Sequence, residues 1–320
     1  MMQNAKKGVN IKKRNISARL RSRIIFYSLM IALPLLQWLV FYVGLNANTF
    51  VMAFEKWSFK TDGGLGYDVV FAGFDNFKVA VDFFHDTGYM LKNSLTVAFY
   101  NTLVGLTFAL IFSFYIYKKF MFSGIFKTFL FMPQMISGLI FSLLFKYIAN
   151  DVFVAVFGEG KSGFMGLLDR DSETKFIVIL IYHVFLSFGV RVLLFSGAMS
   201  GIDDSLVESA KLDGANLVQE FVYITLPLIY PTIVSLVVIG LSSVVTDQMH
   251  LFSMFGNDAK EIGTLGYYLY LLSQQGSEIS QHGYYSYAEL SAISILCTVV
   301  MVPAILGTKK LMNTFGPTVD

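Results

Sequence analysis

Cysteine is almost missing from this sequence, with Cys297 standing alone among 320 residues. One thiol excludes a disulfide framework and any cysteine-based metal site. Histidine is nearly as scarce. His85, His183, His250 and His282 are each isolated, with no second histidine at metal-ligand spacing. Six prolines, set against abundant Phe, Leu and Ile, exclude disorder and repetitive linkers. Charge is the most telling shortage. Only 14% of residues are charged, 55% are hydrophobic, and the mean hydropathy is +0.61, whereas a soluble domain carries roughly a quarter charged residues. A chain this long cannot make a water-facing surface from so few charges without large exposed apolar patches. The composition is that of an integral membrane protein. A net charge of only +2 gives no reason to expect nucleic acid as a partner.

What is present is a series of long apolar runs. A bilayer core needs about 20 apolar residues as helix, and six stretches qualify: 24–45, 89–117, 124–148, 176–200, 224–245 and 288–307. The fold class expected is therefore all-α, a polytopic protein with six transmembrane helices. Pro133, Pro227, Pro231 and Pro303 fall within or at the ends of these runs, where neighbouring helices can satisfy freed backbone groups. The first run exceeds a signal-peptide core and lacks a small-residue cleavage site, so it reads as an uncleaved anchor. Residues 1–23 form a basic tail, either plain positive-inside charge or a membrane-surface segment, and 24–320 form the six-helix domain.

Lys and Arg set the orientation. With the amino terminus in the cytoplasm, 14 basic residues fall on that side and nine on the other, spread over longer loops. Both termini are expected in the cytoplasm. Short interfacial helices are expected in the three external loops, roughly 46–88, 149–175 and 246–287.

Catalytic motifs fail. Gly158-Glu159-Gly160-Lys161-Ser162-Gly163 imitates the end of a phosphate-binding loop, but the glycine required five residues before Gly160 is Ala155, and no strand precedes it. No serine elbow and no carboxylate pair at one depth suggest hydrolysis. The chain is expected to be no enzyme.

One loop is informative. Between the fourth and fifth runs lie Asp203-Asp204-Ser205-Leu206-Val207-Glu208-Ser209-Ala210-Lys211-Leu212-Asp213-Gly214-Ala215-Asn216, then Phe221, Ile224, Leu226, Pro227 and Pro231. Asp203 and Asp204 suit a helix start. The spacing predicts a helix over 206–212, an end or kink at Gly214, and a second helical piece running to Pro227. The result is a short helix–turn–helix whose small residues Ser209 and Ala210 allow it to sit in a groove of another protein.

These residues resemble the permease subunits of bacterial type I ABC importers, specifically the carbohydrate-uptake branch typified by maltose and multiple-sugar permeases. That loop has the form E-A-A, three residues, G-A, then F-x-x-I-x-L-P. The sequence supplies Glu208-Ser209-Ala210, Gly214-Ala215 and Phe221, Ile224, Leu226 and Pro227, with Ser209 the one departure in the first triplet. A weaker resemblance runs through Phe71–Phe77 and Tyr284–Ala288. It implies a half-transporter whose coupling loop, 203–223, docks into a cleft of a separate ATPase. Glu208, Ser209, Ala210, Asp213, Gly214 and Ala215 are then the coupling residues. The implied partners are a second permease subunit, two ABC ATPase subunits and an external solute-binding protein. The substrate implied is a sugar, an oligosaccharide above all. ATP and Mg would sit on the ATPase and no cofactor on this chain, which lies in a bacterial plasma membrane.

For the substrate path, polar groups inside spans face the bundle interior or a water-filled cavity. His183, Ser187 and Arg191 recur at i, i+4 and i+8 on one face of the fourth span, with Val190 beside them. The resemblance places His183, Ser187 and Val190 at the sugar site. Ser243, Thr246, Asp247 and His250 are expected on one helical face at the end of the fifth span, with Gln248 among them. Tyr182 is a candidate stacking ring. Helix-to-helix hydrogen bonding is the alternative for each polar residue. Arg191 and His183 together would suit an acidic or sulfated sugar. A permease for another solute and an ion-driven secondary transporter are the competing functions, although no internal repeat of the latter's kind is visible.

Overall fold

The computed structural model describes residues 18–59, 67–158, 165–169, 172–275 and 286–317. Most of the basic tail and parts of the three long loops lie outside the described residues. The chain divides into two units, residues 1–52 and 53–320.

The described residues of the first unit, 18–52, form one continuous helix. α1 (Ala18–Gln37) passes through a π-helical turn, Trp38–Gly44, into α2 (Leu45–Met52). It is long and apolar enough to cross a membrane and contains the expected first span. Its side chains are exposed almost throughout, and a helix apolar on every side takes lipid or another protein as its solvent.

The second unit opens with a departure from the all-α expectation. β1 (Glu55–Phe59) and β2 (Tyr67–Phe71) form an antiparallel hairpin with Glu55 opposite Phe71. The segments Glu55–Phe59 and Tyr67–Phe71 are rich in aromatic and β-branched residues, which favour a pleated, half-buried surface. α3 (Asp75–Asp86) follows. Its buried Asn76 donates to the carbonyls of Ala53 and Glu55, at 2.9 and 2.8 Å, and so ties hairpin to helix.

α4 (Gly88–Tyr117) and α8 (Lys175–Met199) are unbroken, match the second and fourth expected spans, and pack along each other. Between them the third expected span, 124–148, is broken. α5 (Ser123–Met135) stops where Ile136 and Ser137 turn extended, and α6 (Gly138–Tyr147) restarts. A π-helical turn then leads into α7 (Phe153–Phe157). Pro133 starts the interruption, because its ring removes a donor and crowds the preceding turn. Gln134, beside it, turns its amide to the carbonyl of Leu186 on α8.

Gly189 permits the close approach of α5 and α8. A Cβ there would collide with the Leu130 carbonyl, a backbone atom that cannot swing aside. Gly189→Val is expected to cost about 1–3 kcal/mol by overpacking, read as a lowered melting point of the detergent-purified chain. Gly197→Ala, on the same helix with open space around it, is the control and should not lower it. Equal melting of the two variants would show that α5 and α8 are not in contact there.

α9 (Asp204–Leu212) and α10 (Leu217–Glu220) form the predicted pair of helical pieces. From α10 a π-helical turn, Phe221–Thr225, continues into α11 (Leu226–Leu228). The helix then bends by 69° at Ile229 and continues as α12 (Tyr230–Thr246). The fifth expected span, 224–245, therefore carries this bend near its start. Pro227 and Pro231 flank the corner and leave backbone acceptors there without donors, a recognised cause of kinks. α13 (Leu251–Phe255) and α14 (Leu265–Gln275) lie in the loop that follows, where short helices were expected. α15 (Tyr287–Phe315) starts at a capping box between Ser286 and Glu289 and runs eight residues beyond the expected 307. Among the described residues five helices can cross a membrane, or six if the bent pair counts as one span. The chain is a multi-pass membrane protein.

Candidate functional sites: a membrane cavity and an exposed helical loop

Three residues of α8 reach a single amide on α4. Ser187 Oγ donates to Asn101 Oδ1 at 2.8 Å. Arg191 Nη1 donates to the same oxygen at 3.0 Å and to the Asn101 backbone carbonyl at 2.5 Å. With Oδ1 accepting twice, the Asn101 amide is oriented so that Nδ2 faces His183 Nε2, 3.0 Å away. His183 Nε2 is also 2.9 Å from Asp247 Oδ2. Gly105, one turn below Asn101, leaves the room that the Arg191 guanidinium occupies. The i, i+4, i+8 face of α8 is therefore one connected network, with Asn101 at its centre.

Beside this network lies a cavity of about 480 Å³, lined by His183, Ser187, Val190 and Arg191 of α8 together with Gln134 and His250. Aliphatic side chains, among them Ile136, Leu186, Leu236 and Ile239, complete the wall. The lining has no carboxylate. Asp247 stands behind His183, with its Oδ1 accepting from the Met249 amide at 2.8 Å.

The expected helical face at the end of the fifth span does not exist. α12 ends at Thr246, Asp247 is extended, and Met249 and His250 both take left-handed conformations at φ 50° and 58°. Asp247 and His250 reach the cavity region by this turn and not by helical periodicity. Ser243 spends its hydroxyl on the Gly240 carbonyl, and Thr246 lines a different groove with Ser242 and Tyr270. The Gln248 side-chain oxygen Oε1 is buried without a hydrogen-bond partner among the described residues, and Gln248 does not line the cavity. Tyr182 is buried, stacked on Phe145 at 4.3 Å between ring centres, and paired with Ser142 through its hydroxyl. Its ring is therefore already occupied. Asn101 and Gln134 escaped the sequence reading, although an amide inside an apolar run is itself a signal.

The second feature is the loop 203–228. Asp203 Oδ1 accepts from the Ser205 amide at 2.9 Å and caps α9. That N–H holds the Asp203 carboxyl below the usual aspartate range. The cap's contribution is complete above the ordinary aspartate pKa and is lost only as pH falls through the lowered value, so it is intact at neutral pH. Gly214 closes α9 in the left-handed region at φ 83°, its amide donating to Lys211, the arrangement in which glycine ends a helix at least cost. Asn216 and Gln219 cap α10 reciprocally, at 2.9 and 2.8 Å. Glu208, Ser209, Asp213 and Gly214 are exposed, Ala210 and Ala215 half-buried. Only Val207 of α9 is buried. Leu212 is 88% exposed, Val218 70% and Tyr223 75%, a density of apolar surface that marks contact sites.

Residues 101–317 match the family model of the binding-protein-dependent transport system inner membrane component. The chain belongs to this family. It is 26% identical over 306 residues to the arabinooligosaccharides transport system permease protein AraP of Bacillus subtilis, covering 92% of each chain. It is also 26% identical to the multiple sugar-binding transport system permease protein MsmF of Streptococcus mutans, covering 88% of this chain and 93% of that one. A similar identity, over 76% of this chain and 83% of the relative, links it to the sn-glycerol-3-phosphate transport system permease protein UgpA of Salmonella typhi. Its fold resembles that of a chain in a bacterial alginate ABC transporter solved with a periplasmic protein carrying an alginate pentasaccharide. The TM-score is 0.69 at 19% identity, covering 95% of this chain and all of that one. As a family member the chain is a permease component of an ABC importer.

Proposed function

We propose that the chain forms one half of the translocation pathway of an ATP-driven importer for oligosaccharides, paired with a second permease subunit. The observation that carries this reading is the capped, glycine-closed and apolar-tipped loop 203–228, whose exposed residues have no cover among the described residues. Both termini and this loop lie on the cytoplasmic side, in keeping with the excess of basic residues there. α9 is the coupling helix. It seats Glu208, Ser209, Ala210 and Asp213 in a cleft of an ATPase subunit, while Gly214 and Ala215 make the turn that lets α10 return to the membrane. ATP and Mg belong to that ATPase, and an external binding protein delivers the sugar. The name of the relative AraP supports an oligosaccharide as substrate, and that of MsmF a sugar.

The substrate path runs through the cavity beside α8. Its hydrogen-bonding side chains, His183, Ser187, Arg191, Gln134 and His250, suit sugar hydroxyls, and its aliphatic wall suits the apolar ring faces. Val190 adds contact area. One observation favours a second reading. Among the described residues the only permanent charge on the lining is the guanidinium of Arg191, which suits an acidic or phosphorylated solute.

The test is a mild-detergent purification of the tagged chain from its native membrane, with mass spectrometry of what accompanies it. An ATPase and a second polytopic subunit are expected. Recovery of the chain alone would sink the proposal and leave the ion-driven transporter.

A further inference from the structure

α4 ends at Lys118, which caps it. The Lys118 ammonium is paired with the carboxylate of Glu220, the last residue of α10, and both side chains are nearly sealed from solvent, at 12% and 3% exposure. The ammonium lies over the rings of Phe114 and Tyr117, at 5.5 and 5.3 Å from their centres. Phe221 adds an apolar contact by packing on Phe114 at 4.8 Å. α9, by contrast, has a single buried residue, Val207.

A buried ion pair is weak evidence for stability, because well-packed apolar residues of similar size commonly stabilise as much or more. What such a pair supplies is register: one ammonium meets one carboxylate at one place. Its position along the chain adds a second clue. Directly after Glu220 come the π-helical turn Phe221–Thr225 and the 69° bend at Ile229. The Thr225 hydroxyl, fully buried within that turn, has no hydrogen-bond partner among the described residues. π-helical turns interrupt the regular ladder and recur at functional positions. The grip on α4 therefore lies on the loop side of the bend, and the bend can absorb a change of angle towards α12. Asn101, the centre of the polar network, lies on the same α4, about 25 Å up the helix axis at 1.5 Å per residue.

We propose that Lys118 and Glu220 are positioning residues that lock the coupling loop to α4. Movement imposed on α9 and α10 by the ATPase thereby displaces α4, and Asn101 carries it to the cavity. The proposal rests on the reading of α9 as the ATPase contact.

The experiment uses the assembled importer in proteoliposomes. This chain carries Cys297→Ser and a reporter cysteine at Val190→Cys, a cavity position 43% exposed. A membrane-impermeant maleimide is supplied from either face, with and without ATP plus vanadate. In the parent, nucleotide is expected to change the ratio of labelling from the two faces by about tenfold, within the usual range of coupling between sites. Lys118→Met and the isosteric Glu220→Gln should each cut that change to about twofold or less, while the ATPase still co-purifies. Lys118→Arg should keep it. The double variant Lys118→Met with Glu220→Leu, which replaces the pair by apolar contact, should assemble with the ATPase without restoring the change, because apolar contact supplies stability and no register. An assembled importer in which both single variants keep the full change overturns the proposal and leaves the transport reading standing. Loss of assembly with an undiminished change in the remaining complexes also overturns it, since the pair would then be purely structural. A parent that binds no ATPase, or binds it without any nucleotide response, overturns the transport reading and the proposal with it.

Discussion

Gly214→Val is expected to abolish uptake while the protein inserts into the membrane in normal amount. The glycine sits at φ 83° with no atom within 4 Å of where a Cβ would lie. The damage is thus conformational and not steric. An L-residue in the left-handed region costs about 1–2 kcal/mol, and a β-branched side chain is a genuine outlier there. The chain avoids that cost by refolding the turn, and α9 then leaves the orientation that the proposed ATPase contact requires. Each 1.4 kcal/mol is worth about tenfold in an equilibrium, so a docking step biased this way loses most of its occupancy. Gly214→Asn should retain most of the uptake, because asparagine tolerates this conformation. Uptake of the proposed oligosaccharide substrate, normalised to membrane-inserted protein, gives the readout. Normal uptake by the valine variant would remove the loop from the coupling mechanism.

Asn101→Leu is the second large effect. The amide accepts from both Ser187 and Arg191 and faces His183. Leucine leaves those groups in the protein interior with fewer partners, at about 1–3 kcal/mol for each polar group left unsatisfied. Insertion should be unaffected, since leucine is the more lipid-compatible residue. Uptake should fall by about tenfold or more, following the same free-energy scale. Combining Asn101→Leu with Arg191→Gln supplies the decisive comparison. Residues of one network are not additive, so the second substitution should add little to the first. Fully additive losses would show that Asn101 and Arg191 act separately and that the network is incidental.

Much of this was legible in the residues. The long apolar runs gave α4 and α8 nearly to the residue, because a helix in lipid must satisfy its own backbone and has few ways to deviate. The loop 203–228 was equally readable, since its caps and its closing glycine are local devices whose partners lie within four residues. The breaks were harder to place. Pro133 and Pro231 announce that a helix is disturbed, but the position at which it turns depends on what packs alongside. Leu130 lies against Gly189, and the Gln134 amide meets the Leu186 carbonyl. The pairing of 55–59 with 67–71 was missed for a related reason. Its strands are short, and only Phe54, Asn76 and α3 show that they have a surface to pair beside.

The cavity divides along the same line. The shared face of His183, Ser187 and Arg191 follows from helical periodicity, which sequence alone determines. Periodicity also determined the wrong neighbours, because it was carried past Thr246, where the helix had already ended. Only the tertiary structure decided that Asp247 meets His183, that Asn101 gathers three side chains of α8, and that Glu220 is covered by Lys118. Each of these contacts joins residues more than 50 positions apart. Side chains so separated in the chain meet through the packing of whole helices, and no local spacing encodes that.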